Sequence, residues 1–209
     1  GRSLIIGKFY SAADLAYFNR GNQFPSLVIG NLNAPISNVM LSVMCKVNGD
    51  KQRLRSVLQK TIRLSSYLVF PMMAILAGCA PALVTVLLTD KWSACVPYLQ
   101  LGCLFFLFQP LQTMNWQALK AMGEGACCLR LEIVKKTICF GLLFASIPFG
   151  VIGIAVASAA SGLFSMIINI VPVGRLLGYG IKDQMRDIAK PALVSGACFL
   201  AMLLIGRAD

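Results

Sequence analysis

Residues 21–45, GNQFPSLVIGNLNAPISNVMLSVMC, constrain the rest of this chain most. The stretch is long and apolar enough to cross a bilayer, since about 20 residues of helix span ~30 Å of hydrocarbon. It nevertheless carries Asn22, Gln23, Asn31, Asn33 and Asn38, and Pro25 and Pro35 interrupt its backbone ladder. Amides in hydrocarbon are costly unless they find partners or face a watery cavity. At about 100° per residue, Asn22, Ser26, Asn33 and Ser37 fall on one face of a straight helix, and Asn31, Asn38 and Ser42 on the opposite one. A lipid-facing helix is not built this way. The pattern predicts an inner helix with one face packed on its neighbours and the other along a polar path, and spacing alone does not say which face is which.

The same conclusion follows for the whole chain. Apolar residues make up 57% and charged ones 13%, with a mean hydropathy of +0.74. Soluble domains carry about 25% charged residues, so this chain has too little polar surface for water and reads as an integral membrane protein. Its net charge of +11 would suggest nucleic acid in a soluble protein. Here the basic residues stand between apolar segments, there is no basic-aromatic surface, and no nucleic-acid partner is expected. The eight cysteines lie mostly in apolar runs, where thiols behave as small hydrophobes. With no histidine and no paired CxxC spacing, neither a metal site nor a cofactor is expected.

The apolar segments predict about six transmembrane helices plus the cut end of another at 3–7, in an all-α polytopic bundle. An amphipathic connection at 8–20 carries Phe9, Tyr10, Tyr17 and Phe18 at the interface. Spans follow at about 22–45, 64–88 (kinked or broken near Pro71 and Pro81), 94–119, 133–148, 151–172 and from 191. In the connection 46–63, Gly49-Asp50 marks the turn, and Gln52 onward reads as an amphipathic helix lying on the membrane surface. Glu132 and Lys136 read as a helical ion pair at i, i+4. The spacings Gly153/Ala157/Ser161 and Ser158/Gly162 suit close helix approach. Both ends of the chain stop abruptly, which predicts a fragment.

The charge is unevenly shared between the connections. Residues 46–63, 120–136 and 173–190 hold fourteen of the nineteen Lys and Arg (six, four and four), whereas 8–20, 89–93 and 147–150 hold three. Basic loops are retained in the cytoplasm, so the first set is expected there and the second outside.

Several segments resemble bacterial polysaccharide flippases. They are FYSAADLAYFNRGNQFP, the NGDKQRLR loop, VLLTDKWSACVPYLQ, LQTMNWQALKAMGEG and LEIVKK, and the likeness covers nearly the whole chain. Such flippases belong to the multidrug/oligosaccharidyl-lipid/polysaccharide exporter superfamily. The resemblance implies a two-lobed transporter of the inner membrane that flips undecaprenyl-diphosphate-linked oligosaccharides for lipopolysaccharide or exopolysaccharide. Residues 1–209 would then form the C-terminal lobe, partnered by membrane lipids and a missing N-terminal lobe, with room for a coupling cation. It implies a transporter, not an enzyme.

An anionic, hydroxyl-rich headgroup wants cations and amides along its path. The candidates are Arg20 at the outer mouth, Asn31, Asn33 and Asn38 in the first span, and Gln109, Gln112 and Asn115 in the third. Each has a plainer alternative: the amides could bond to neighbouring helices, and Arg20 could be an interfacial anchor. Two other classes compete. A drug/cation antiporter of the same superfamily would show acidic residues within its spans. A membrane-embedded glycosyltransferase or polymerase would need long outer loops with carboxylates or arginine clusters.

Overall fold

The computed structural model describes residues 11–205 except Asn48, leaving aside the side chains of Ile147, Ala201 and 203–205. The helix tail expected at 3–7, with Lys8, Phe9 and Tyr10, and the chain end at 206–209 lie outside the described residues. Within them the regular structure is helical: α1 (Ala12–Lys46), α2 (Lys51–Gly78), α3 (Ala80–Leu88), α4 (Val96–Leu107), α5 (Gln109–Ala121), α6 (Gly125–Ser146), α7 (Gly150–Leu177) and α8 (Ile181–Ile205). Short 3-10 turns at Asp90–Cys95 and Ile147–Phe149 join α3 to α4 and α6 to α7.

Among the described residues, four stretches are long and apolar enough to cross a membrane: Ala12–Lys46, Lys51–Gly78, Asp90–Ala121 and Gly150–Leu177. The spans expected at 133–148 and from 191 coincide with the apolar second halves of α6 and α8, whose first halves are charged. Leu64, Val86, Leu87, Phe144, Phe149, Ile152 and Leu193 stand largely exposed on the bundle surface. In water that much exposed apolar surface would drive association; in lipid it is the solvated surface.

Helix α1 starts earlier than its sequence suggests. Ser11 caps it in a capping box with Asp14, the Ser11 hydroxyl accepting from the Asp14 backbone N–H at 3.1 Å. Residues 12–20 of the expected connection are therefore its first turns. Pro25 and Pro35 both lie inside the helix.

Residues 51–63 do not form a separate surface helix. They are the first turns of α2, which begins at the Asp50 cap and runs unbroken past Pro71 to Gly78. The reason is burial: Leu54, Leu58 and Ile62 are fully enclosed by the bundle core, so the amphipathic face meets protein and not headgroups. The break comes at Cys79, ahead of Pro81 in the first turn of α3. A second break, at Phe108 before Pro110, divides the third apolar stretch into α4 and α5.

The packing sorts the connections by end. One core cluster joins Met44, Leu54, Leu58, Ala118, Leu119, Cys128, Leu177, Tyr179 and Ile188, all beside the basic connections. At the opposite end Phe18, Tyr98, Leu143, Val151 and Ile154 form another cluster, and Tyr17 meets Trp92 edge to face at 5.6 Å between ring centroids. The three basic connections thus share one end of the bundle.

Small residues allow the closest helix contacts. A Cβ on Gly21 would stand 2.8 Å from the backbone nitrogen of Leu99 and 2.9 Å from the carbonyl oxygen of Cys95, so α1 and α4 touch backbone to backbone there. The small-residue seam of α7 works similarly, with Gly162 pressed on Phe105 of α4.

Candidate functional site

A cavity of about 980 Å³ opens between the first half of α1, the end of α4 and the middle of α6. Arg20, Asn22, Gln23 and Ser26 line it from α1, Phe105 and Phe106 from α4, and Lys136, Cys139 and Phe140 from α6. Trp92 closes one wall. Among the described residues, no carboxylate lines it.

Arg20 is held by two contacts. Its guanidinium donates from Nη1 to Gln23 Oε1 at 2.9 Å and lies over the Trp92 ring, 5.6 Å from the centroid. The contact leaves the positive charge without an anion while fixing its place. Asn22 donates to the Phe18 carbonyl oxygen at 2.9 Å, keeping its amide oxygen for other partners.

Lys136 is the residue that sequence reasoning missed. It was expected to pair with Glu132, but Glu132 pairs with Lys135 at 2.9 Å, and the Lys135 ammonium sits 4.3 Å from the centre of the Trp116 ring. Lys136 points the other way, into the cavity, and among the described residues has no hydrogen-bond or ion-pair partner. It also lies midway along α6, well inside the helix that the connection 120–136 was expected to precede. The signal available was a Lys-Lys pair within 22 helical residues: one lysine can snorkel or pair, and the second faces the other way.

The two asparagine faces of α1 are now told apart. Asn33 and Ser37 are buried, and Asn33 donates to Thr113 Oγ1 of α5 at 3.0 Å. Asn31, Asn38 and Ser42 are exposed. The first stripe is itself divided, because Asn22 and Ser26 reach the cavity while Asn33 and Ser37 pack.

The three candidate amides of α5 spread in different directions. Gln112 donates to the Gly162 carbonyl oxygen of α7 at 2.9 Å. Asn115 is completely buried and exchanges two 2.9 Å hydrogen bonds with Gln184 of α8. Gln109 keeps its amide oxygen buried without a protein partner. The structure brings none of these three to the cavity lined by Arg20.

A second polar system stands at the basic end, below the apolar half of α8. Asp187 accepts from Arg63, from Gln59 Nε2 at 2.8 Å and from the Tyr179 hydroxyl at 2.8 Å. Burial pushes its carboxyl up, but these three donors outweigh it and hold the group below the usual carboxylate range. Tyr179, wholly enclosed, is pushed well above the usual phenol range by burial and by the Asp187 charge.

Comparison with known proteins fits this architecture. A family model described as "Polysaccharide biosynthesis protein" matches residues 1–97. An uncharacterized membrane protein in the cps region of Klebsiella pneumoniae is 26% identical over 205 residues, covering 96% of this chain and 41% of that protein. Teichuronic acid biosynthesis protein TuaB of Bacillus subtilis (strain 168) is 21% identical over 196 residues, covering 93% and 40%. The chain is thus similar, over most of its own length, to a membrane protein of a cps region and to a teichuronic acid biosynthesis protein. It spans about two fifths of the length of the curated relatives it matches. The fold superimposes on lipid II flippase MurJ in its inward closed conformation, with a TM-score of 0.79 and 16% identity. That match covers all of this chain and 44% of MurJ. As in the relatives named for membrane and polysaccharide roles, the chain is a multi-pass membrane protein.

Proposed function

We propose that this chain is one lobe, the C-terminal one, of a transporter that flips undecaprenyl-diphosphate-linked oligosaccharides across the inner membrane. Six of its helices would span the membrane, with the basic end in the cytoplasm. The observation that carries the reading is the cavity of α1, α4 and α6: two cations, Arg20 and Lys136, beside amides and aromatic walls, with no carboxylate among the lining residues. A cation without an anion is costly at membrane depth. A passing diphosphate lowers that cost, while Asn22 and Gln23 offer donors and acceptors to sugar hydroxyls.

The exposed amides Asn31 and Asn38 support the two-lobe reading. They would be unfavourable against lipid and suit a face turned toward a second lobe or a watery path. An antiporter or a transferase would call for a carboxylate free to titrate or to coordinate within the spans. Glu132, within α6, is held by Lys135, and Asp187, at the start of α8, by Arg63, Gln59 and Tyr179.

The test is export of surface polysaccharide by the full-length protein. Arg20→Ala and Lys136→Ala are each expected to lower export about tenfold or more at unchanged protein abundance, with lipid-linked precursor accumulating. Normal export by the double variant would remove the basis for the proposal.

A further inference from the structure

We propose that the cleft between α2 and α8 at the basic end is a binding site for the phosphate of an anionic phospholipid, separate from the transport cavity. The cleft encloses about 500 Å³ and carries four cations, Arg55, Arg63, Arg186 and Lys190, against two carboxylates, Asp183 and Asp187. Both carboxylates are already engaged. Asp183 meets Arg55 at 3.5 Å, and Asp187 takes Arg63 together with Gln59 and Tyr179. Arg186 and Lys190 are left, and among the described residues neither has a hydrogen-bond or ion-pair partner.

Their placement along α8 is unfavourable without a ligand. Lys182, Arg186 and Lys190 follow one another at i, i+4 and i+8, so three like charges stack on one helix surface. Two of them open into a cleft whose acids are spent. An anion between Arg186 and Lys190 removes that repulsion and gains charge-assisted hydrogen bonds from both.

The surroundings name the kind of anion. Tyr67 stands at the rim of the cleft, and of two leucines about three-quarters exposed, Leu64 directly follows Arg63 and Leu193 lies one turn beyond Lys190. Val194 is exposed four residues after Lys190 on the same face of α8. The cleft therefore sits at the level where both helices turn from charged to apolar. A phosphate at that depth is joined to acyl chains: it belongs to the membrane, with its head between Arg186 and Lys190 and its chains along Leu64, Leu193 and Val194. Basic pockets between helices at this depth suit such headgroups.

Native mass spectrometry of the purified full-length protein tests this with dioleoyl phosphatidylglycerol, dioleoyl phosphatidylcholine, undecaprenyl phosphate and inorganic phosphate as probes. Phosphatidylglycerol is expected to bind at least tenfold more tightly than phosphatidylcholine. Arg186→Ala with Lys190→Ala is expected to weaken phosphatidylglycerol about tenfold or more. The charge-keeping pair Arg186→Lys and Lys190→Arg should bind within a few-fold of the parent, and Arg130→Ala, an exposed cation outside the cleft, should change nothing. Both Ala positions are exposed, so folding is retained, and a melting curve on the same sample verifies it. Equal binding of the two phospholipids, or full phosphatidylglycerol binding by the double Ala variant, overturns the proposal. Tighter binding of undecaprenyl phosphate through the same two residues also overturns it, assigning the cleft to the transported lipid. Displacement of phosphatidylglycerol by millimolar inorganic phosphate assigns it to a soluble anion and overturns it too. None of these outcomes bears on Arg20 and Lys136.

Discussion

Asn115 and Gln184 exchange two hydrogen bonds of 2.9 Å, each amide donating to the other, across 69 residues of sequence. The pair ties α5 to α8 in the buried interior, and Gln184 Nε2 also donates to the Tyr179 carbonyl oxygen at 3.2 Å. Asn115 Nδ2 likewise keeps the Leu111 carbonyl oxygen at 2.8 Å, but removing either amide leaves the buried amide oxygen of the other without its donor. Asn115→Ala is therefore expected to cost about 1–2 kcal/mol, within the range found for polar contacts between membrane helices. Joint replacement of Asn115 and Gln184 by leucine should recover part of it. Thermal unfolding of the purified protein in one detergent checks both. Export per folded molecule should be unaffected, and a loss of export at normal stability would place Asn115 in the transport path instead.

Asp187 carries a pH dependence of defined sign. Its carboxyl is held below the ordinary value of 3.8 in the folded protein. The stabilisation it brings is thus complete above the unfolded value and is lost as the pH falls through the folded one. Melting temperature is expected to drop on acidification below about pH 4, and Asp187→Asn should flatten that part of the profile while lowering stability at neutral pH. An unchanged acid limb in Asp187→Asn would contradict the role assigned to Arg63, Gln59 and Tyr179.

Gly21 is expected to tolerate no side chain. A Cβ there would meet the α4 backbone at under 3.0 Å at two atoms, and backbone cannot move aside as a flexible side chain can. Gly21→Ala should destabilise by about 1–3 kcal/mol and Gly21→Val by more. Gly30, whose Cβ position is open, serves as the comparison: Gly30→Ala should be neutral or slightly stabilising. Similar melting temperatures for the two alanine variants would exclude the close approach of α1 and α4.

The shared end of the basic connections makes a labelling prediction. Cysteines introduced at Asp50, Glu124 and Asp183 should react with an impermeant maleimide from the same face of the membrane, the cytoplasmic one. Those at Ala13 and Asp90 should react only from the other. Cys45, native and exposed at the end of α1, belongs with the first group, whereas Cys95 and Cys103 are buried and should resist labelling. Reaction of Asp50 and Ala13 from one face would break the alternation of ends.

The membrane character, the helical class and the alternation of connections were legible in the sequence, because each depends on quantities that add along the chain. Apolar runs, turn residues and the spread of Lys and Arg report them without any knowledge of neighbours. The break near Pro81 was legible for the same reason, since proline acts on its own backbone. Whether 51–63 lies on the membrane or enters the bundle was not, because an amphipathic face looks alike against headgroups and against Met44 and Leu119.

The site divides in the same way. That the amides of α1 cannot face lipid follows from their chemistry alone. Which amide packs and which stays open depends on what stands opposite, and only the fold supplies Thr113 for Asn33 and nothing for Asn31 and Asn38. Lys136 shows the limit most clearly. Glu132 lies three residues from Lys135 and four from Lys136, so either pairing suits a helix. The Trp116 ring, brought beside Lys135 by the packing of α5 on α6, draws that lysine to its side and leaves the other in the cavity with Arg20. Sequence determined that charges and amides would be present within the membrane; tertiary structure decided which of them were left without partners, because partnership is a property of two surfaces and only one of them is written in any single stretch of chain.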